Sequence, residues 1–227
     1  PPFLRWDEDY RRERYEEIRK LTLERFHEGV DALLPLNWRV RAKLVRAGDY
    51  EGLKAFAAYE SSLRVLADVR TEGADLHVTA RFADDAVRFD ERMHWIPPDG
   101  VAFAEERDAR EDLARSDLYV FVRGPGKVEF ALPVDFTIDG TTLRGTARFD
   151  PATAAAGAQL PPGRWDAFAT LTVAGFKNTG RVRRAPGEPL RLHVGEDGRL
   201  VEERAPLRAR MATRFPRAAR IAKRAGL

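Results

Sequence analysis

Cysteine is absent from this sequence of 227 residues, and its absence excludes disulfide scaffolds, thiolate zinc sites and cysteine nucleophiles. It also fits a cytoplasmic protein. Serine is scarce, and none of the three serines stands in the Gly-x-Ser-x-Gly elbow of a serine hydrolase. The histidines are dispersed, with no pair at the spacing of metal ligands: His27, His77, His94 and His193. We therefore do not expect an acyl-transfer triad or a histidine metal site.

Long apolar runs are missing as well. No stretch of the sequence approaches the roughly 18 to 20 consecutive apolar residues of a membrane-spanning helix. The first residues also lack the pattern of a signal peptide. We expect a cytoplasmic protein that is either soluble or peripheral on the inner face of the cell membrane.

Charged residues are plentiful, at 33% of the sequence, and they are unevenly placed. The formal net charge is +3, but residues 207–227 carry seven cations and no acid, which leaves −4 for the rest of the chain. We expect residues 206–227 to form a basic amphipathic tail that contacts an anionic membrane surface or an anionic polymer. A solvated terminus is the alternative, and no specific nucleic acid is expected as a partner. The cations are Arg208, Arg210, Arg214, Arg217, Arg220, Lys223 and Arg224.

Residues 1–61 follow a helical pattern and are predicted to form a linker region of short helices. The acids at residues 7–9 stand where negative charge favours a helix N-terminus. Asn37 is expected to cap a helix that ends at Gly48, because glycine is the preferred residue just past a helix end. Asp49 is expected to cap the last helix of the region.

Residues 62–205 change to a period of two, which is typical of strands. Short strands separated by turn signals, without long helices between them, favour an antiparallel immunoglobulin-like β-sandwich. The chain as a whole is therefore predicted to be α+β. The predicted strands are residues 63–69, 76–82, 87–96, 117–123, 127–132, 141–149, 164–174, 189–194 and 199–203.

Three segments carry residues with catalytic chemistry, and each has a simpler structural interpretation. Residues 7–9 match the Asp-x-Asp spacing that holds a divalent metal in nucleotide-sugar enzymes, but here they open a helix. The four acids within residues 84–91 have the chemistry of an acid/base pair or cation site, yet they fit a hairpin loop. Residues 124–127 contain Gly and Lys but lack the rest of a phosphate-loop pattern. We therefore expect no catalytic residue, metal site or cofactor in this chain.

The four tryptophans are the candidates for sugar stacking: Trp6, Trp38, Trp95 and Trp165. An exposed indole is a natural platform for a pyranose ring, whereas a tryptophan in an alternating strand usually packs in the core. We favour a core position for Trp165. A core position is also favoured for Trp95, but by less, so Trp95 and the adjacent His94 are the candidates for carbohydrate contact.

The most informative motif is FDPATAAAGAQLPPGRWDAFATLTVAGF, residues 149–176, in which Pro and Gly favour turns before an alternating strand. A second segment, NWRVRAKLVRAGDYEGLKAFAAYE, covers residues 37–60. Together the two segments resemble the region that follows the catalytic domain in actinobacterial family 2 glycosyltransferases. That class includes enzymes that decorate teichoic acids and other cell-surface polymers.

The resemblance implies that the transfer reaction belongs to a nucleotide-sugar domain that these residues do not contain. No catalytic residue is carried over. It further implies helices followed by immunoglobulin-like modules that serve oligomerisation or polymer contact. We expect a non-catalytic accessory module of a cell-envelope glycosyltransferase, supporting oligomerisation, acceptor-polymer contact or membrane-surface attachment. The alternatives are a carbohydrate-binding module and the C-terminal module of a teichoic acid glycerophosphotransferase. The expected partners are a second copy of the chain, an anionic cell-surface polymer and a membrane surface.

Overall fold

The computed structural model of the protein describes residues 2–25, 27–72, 75–103, 107–184, 188–197 and 200–202. The predicted basic tail and its seven cations, Arg208 to Arg224, lie outside the described residues, and the contacts predicted for them stay predictions. Contacts divide the chain into two compact units. The first contains described residues of Pro1–Arg64, Phe82–Asp117 and Thr172–Asn178, and the second contains those of Val65–Arg81, Leu118–Leu171 and Thr179–Leu227. The predicted domain boundaries after residues 61 and 205 stay predictions.

Four α-helices lie in the described part of the first unit: α1 (Glu8–Arg25), α2 (Leu36–Ala47), α3 (Tyr50–Ser62) and α4 (Arg110–Ala114). Short 3-10 turns, Pro2–Arg5 and Glu28–Leu33, precede α1 and α2. None of the described helices combines the length and the hydropathy that a bilayer crossing requires.

Local chemistry sets the ends of these helices. Asp7 Oδ1 accepts a hydrogen bond from the Tyr10 N–H at 2.9 Å, and Asp49 Oδ1 accepts one from the Gly52 N–H at 2.8 Å. Each bond satisfies a backbone donor that has no partner within the first turn of its helix. Gly48 ends α2 in the left-handed conformation, with φ of 74°. The predicted roles of Asp49 and Gly48 are confirmed.

Asn37 does not cap α2, contrary to the sequence-based prediction. The helix begins at Leu36, and Pro35 takes the capping position. The Pro35 carbonyl accepts hydrogen bonds from the N–H groups of Trp38 at 2.9 Å and Arg39 at 3.0 Å, so the helix starts before Asn37. The Asn37 side chain is thereby released from a capping role.

The described residues contain eleven strands, whose order in the sheet is β11-β10-β7-β8-β1-β2-β6-β5. In addition, β3 pairs with β4 and β7, and β9 pairs with β8. The strands are β1 (Val65–Glu72), β2 (Asp75–Phe82), β3 (Asp117–Arg123), β4 (Glu129–Leu132), β5 (Val134–Asp139), β6 (Thr142–Arg148), β7 (Gly163–Val173), β8 (Phe176–Arg184), β9 (Glu188–Pro189), β10 (Arg191–Val194) and β11 (Leu200–Glu202).

The sheet is mixed, which corrects the prediction of an antiparallel sheet. Strands β1 and β8 run parallel, with Ala67 opposite Val182, whereas β2 and β5 both pair antiparallel with β6. The alternation of buried and exposed side chains identifies a strand and its buried face. It is the same in parallel and antiparallel pairs, so it does not predict how the strands run. The α+β class is confirmed, and the immunoglobulin-like sandwich stays a prediction.

Residues 87–96, predicted as a strand, do not form one. Phe89 and Trp95 make only an isolated bridge. The chain between them turns because Asp90 Oδ1 accepts hydrogen bonds from the N–H groups of Arg92 at 2.9 Å and His94 at 2.8 Å. Strands β5 and β8, in contrast, have no counterpart among the predicted strands.

The first unit is built around aromatic side chains and a buried ion pair. The Trp95 ring lies 5.5 Å from Phe176 and 5.9 Å from Phe56, measured between centroids. Arg39 on α2 and Asp112 on α4 form a bidentate pair with N–O distances of 2.6 and 3.1 Å, and both side chains are 3% exposed. The pair ties α2 to α4.

In the second unit Trp165 is fully buried, as predicted. Its indole Nε1 donates to the Pro161 carbonyl at 3.1 Å, so the Pro-Pro-Gly turn fixes the ring. A Cβ on Gly124 would lie 2.5 Å from the indole, so only glycine permits this approach. The Pro-Pro-Gly turn and Trp165 of the residue 149–176 motif therefore support the core of this unit.

Candidate functional site

A polar groove of about 700 Å³ opens in the first unit. We call it the Trp38 groove. It is lined by residues of the first 3-10 turn, α2, α3 and the start of β8, among them Arg5, Asn37, Trp38, Arg41, Glu60 and Lys177.

Trp38 is the exposed aromatic side chain of this groove. The buried stripe of α2 contains Leu36, Val40 and Leu44, which are 0%, 0% and 2% exposed. Trp38 lies about 200° around the helix from Leu36, since each residue advances by about 100°. The indole accordingly remains 54% exposed. Core packing of α2 therefore does not account for a tryptophan at this position.

A network of polar side chains holds the indole in place. Arg41 Nε and Nη2 both donate to Glu60 Oε2, at 3.1 and 2.5 Å. The Arg41 guanidinium carbon lies 4.6 Å from the centroid of the Trp38 ring, within cation–π distance. Asn37 Nδ2 donates to the other Glu60 oxygen at 3.4 Å. Glu60 thus links α3 to two side chains of α2.

The wall of the groove depends on a glycine. Gly175 lies in the turn between β7 and β8 with φ of +89°, and a Cβ there would come within 2.3 Å of Asn37 Oδ1. Asn37 is only 6% exposed, and its Oδ1 accepts no hydrogen bond from the residues that the structure describes. Glycine therefore permits the close approach of the turn to the Asn37 amide.

The groove is electropositive. Its lining contains three cations, Arg5, Arg41 and Lys177, and one acid, Glu60, for a formal charge of +2. Glu60 neutralises Arg41 through their ion pair. Arg5 and Lys177 are exposed and have no ion-pair partner among the described residues. Two cations thus line the same groove as the exposed indole, and they attract anions.

Trp95 does not offer a stacking platform, which corrects the expectation of carbohydrate contact at this residue. The side chain is 2% exposed because it packs in the aromatic core of the first unit. The alternative core interpretation of Trp95 is therefore the right one. His94 is partly exposed and does not line the Trp38 groove, and its carbohydrate contact stays a prediction.

The segments with catalytic chemistry take structural positions. Asp7 caps α1. The backbone N–H groups of His94 and Arg92 hold the pKa of Asp90 below its usual range, so this carboxylate is the ionised acceptor of a turn. Residues 124–127 connect β3 to β4. Among the described residues, no group of three or more acids and histidines is arranged to hold a metal ion.

Two residues of the groove have no distinguishing pattern in the sequence. Arg5 and Lys177 are ordinary surface cations there, and Lys177 lies on β8, which has no predicted counterpart. Trp38 does have a signal. The apolar stripe at positions 36, 40 and 44 places position 38 on the opposite side of the helix.

Residues 1–57 match the family model described as "Glycosyl transferase TarS linker domain". No curated protein matches this chain. The matching solved structures include the crystal structure of S. aureus TarS, with 12% sequence identity and a TM-score of 0.33 over 80% of this chain. The chain spans 37% of the length of that structure.

The family match covers α1, α2 and the first half of α3, including Asn37, Trp38 and Arg41. It overlaps the residue 37–60 segment, which is one of the two that carry the resemblance to a glycosyltransferase. The actinobacterial origin, family 2 and the post-catalytic position stay predictions. The first quarter of this chain is thus similar to a glycosyltransferase linker domain.

Proposed function

We propose that this chain is a non-catalytic accessory region of a cell-envelope glycosyltransferase and that it contacts the acceptor polymer. The match of residues 1–57 to a glycosyltransferase linker family carries the first part of the proposal. The Trp38 groove supports the second part, because it combines an exposed indole with cations that have no acidic partner in the described residues.

The accessory role is tested by a transfer assay. The isolated chain is incubated with nucleotide sugars and teichoic acid, and released nucleotide is measured. We expect no release above the rate without protein, together with retention of the chain on immobilised teichoic acid. Robust turnover by the isolated chain would overturn the non-catalytic assignment. Absence of any retention would overturn the polymer-contact role.

Self-association is a second candidate function, favoured by β5. Among the described strands β5 pairs only with β6, so its other edge offers unpaired backbone groups. Phe136 and Ile138 on this strand are 37% and 39% exposed. Sedimentation velocity at rising concentration tests the idea, with Phe136→Lys as the disrupting variant. A monomer at all concentrations argues against it.

The seven-cation tail supports a further proposal, attachment to the inner face of the cell membrane. Its charge fits an anionic surface, and each cation near such a surface contributes about 1 kcal/mol. Cosedimentation with anionic vesicles tests this attachment. Binding that is equal for neutral and anionic vesicles would contradict it.

A further inference from the structure

We propose that the Trp38 groove binds a polyhydroxyl chain that carries anionic groups, with Trp38 contacting the carbon skeleton and with Arg5 and Lys177 contacting the anions. This inference rests on the proposed function and deepens it, since it names the site and the chemistry of the polymer contact.

The indole supplies apolar surface that water does not favour. Trp38 is 54% exposed, whereas Trp95 and Trp165 are 2% and 0% exposed. The C–H groups of a sugar or polyol pack on an aromatic surface and remove it from water. Arg41 limits the movement of the indole, because its guanidinium lies 4.6 Å from the ring centroid and is bound to Glu60. The contact surface is therefore ordered before the ligand arrives.

The cations select a charged ligand. Arg5 and Lys177 lie on different elements of the groove wall, one in the first 3-10 turn and one on β8. Neither has a carboxylate partner within the described part of the chain. A phosphodiester or carboxylate in the groove would pair with them, and Glu60 does not compete because Arg41 holds it.

The remaining wall offers partners for hydroxyl groups. Ser61 lines the groove and is exposed, and its hydroxyl both donates and accepts. This hydroxyl can accept a hydrogen bond from a ligand hydroxyl, which the Arg and Lys side chains of the groove cannot do.

Three soluble probes separate the contributions: poly(glycerol phosphate), which has hydroxyls and anions, a neutral maltooligosaccharide, and inorganic polyphosphate. Affinity for each is measured by isothermal titration calorimetry with the full chain at low and physiological salt. We expect the chain to prefer poly(glycerol phosphate) over the neutral probe. The basic tail is present in every variant, so any anion binding by the tail is the same background in each titration, and the high-salt measurement reduces that background.

The variants are exposed residues with matched controls. Trp38→Ala is expected to weaken binding of poly(glycerol phosphate) about tenfold. Tyr119→Ala, which removes an aromatic side chain that is 44% exposed in the second unit, should leave affinity unchanged. Lys177→Ala is expected to weaken binding about two- to fivefold at low salt and less at high salt. Lys127→Ala, an exposed lysine outside the groove lining, is its control.

Each outcome decides a different claim. If Trp38→Ala weakens the binding of polyphosphate and of poly(glycerol phosphate) by the same factor, the groove is an anion site that does not recognise hydroxyl groups. That result would overturn the inference. If the chain binds the neutral maltooligosaccharide as tightly as poly(glycerol phosphate), the groove only stacks sugar rings. That result would also overturn the inference. If Trp38→Ala leaves polymer binding unchanged, the polymer binds outside the Trp38 groove. That result overturns the inference but leaves the proposed function standing. If no probe binds, the polymer-contact role itself fails. Circular dichroism of each variant verifies that it is folded.

Discussion

Single residues account for much of what is specific about the groove, and Gly175 is the clearest case. Its φ of +89° disfavours any side chain, and a Cβ added there would lie only 2.3 Å from Asn37 Oδ1. The same added atom would lie 2.7 Å from Pro35 Cβ. Backbone conformation and close packing therefore both require glycine at this position.

Gly175→Ala is expected to lower the free energy of unfolding by about 2 to 4 kcal/mol, from left-handed strain and steric overlap together. Gly126→Ala is the matched control, because Gly126 has φ of +68° but nothing within 4 Å of an added Cβ. It should lose only about 1 kcal/mol, from strain alone. Urea denaturation measures both, and equal losses would contradict the role of Asn37 and Pro35.

Tyr59 gives a prediction for alkaline pH. Its hydroxyl donates to the Ala86 carbonyl at 2.8 Å, and burial raises the pKa of the Tyr59 hydroxyl above its usual value. The folded state therefore holds this proton more tightly than the unfolded chain. The resulting stability is complete below about pH 10 and is lost as pH rises above it.

Tyr59→Phe is expected to lower stability near neutral pH by about 1 kcal/mol, because the hydrogen bond to Ala86 is lost. The variant should also lose less stability than the natural chain as pH rises above about 10. Urea midpoints measured across that range check both effects. Tyr119→Phe, at an exposed tyrosine, is the control and should change neither the stability near neutral pH nor its decrease at alkaline pH. If Tyr59→Phe loses stability with rising pH as steeply as the natural chain, the pKa of Tyr59 is not raised.

At the scale of helices, the Arg39–Asp112 pair joins α2 to α4. Asp112→Asn leaves the Arg39 charge buried without its carboxylate, and we expect a loss of about 3 to 5 kcal/mol. Asp108→Asn breaks the pair of Asp108 with Arg110, whose side chains are 42% and 71% exposed, and should cost about 0 to 1 kcal/mol. Thermal denaturation measures the stability of both variants. If the two variants lose similar stability, burial does not make the Arg39–Asp112 pair more important than an exposed pair.

The cap of α3 is a second prediction at this scale. Asp49→Ala removes the acceptor for the Gly52 N–H and should lower stability by about 1 kcal/mol. Asp49→Asn keeps a side-chain oxygen and should retain most of that stability. Urea denaturation of the two variants tests the cap, and an equal loss in both would indicate that charge, rather than the acceptor, matters.

Elements with strong local signals could be predicted from the sequence, and the others could not. Strand β7 alternates buried and partly exposed residues over much of its length, and α2 ends at a glycine, so both were accessible to pattern analysis. Strand β8, in contrast, contains mostly polar and charged residues, with Phe176 and Val182 as its buried side chains. It is a strand because it pairs with neighbours on both sides. Periodicity does not contain that information.

The groove was predictable only in part, for a similar reason. The exposure of Trp38 follows from the helical period of α2. Lys177 and Gly175 are 137 or more positions further along the chain than Asn37 and Trp38, and no sequence period brings them together. Their approach depends on the β7–β8 turn and on Pro35, which sets the start of α2.

At the scale of the whole molecule, the linker-family match and the Trp38 groove both lie in the first unit, so the proposed polymer contact falls in that unit. The second unit contributes much of the large mixed sheet and the exposed edge of β5. This edge is where the proposed self-association would take place.

The most direct test of polymer contact is the dissociation constant of the full chain for poly(glycerol phosphate), compared among the natural sequence, Trp38→Ala and Tyr119→Ala. We predict that Trp38→Ala binds about tenfold more weakly while Tyr119→Ala binds as the natural chain does. Equal affinities for all three proteins would contradict a binding role for the Trp38 groove.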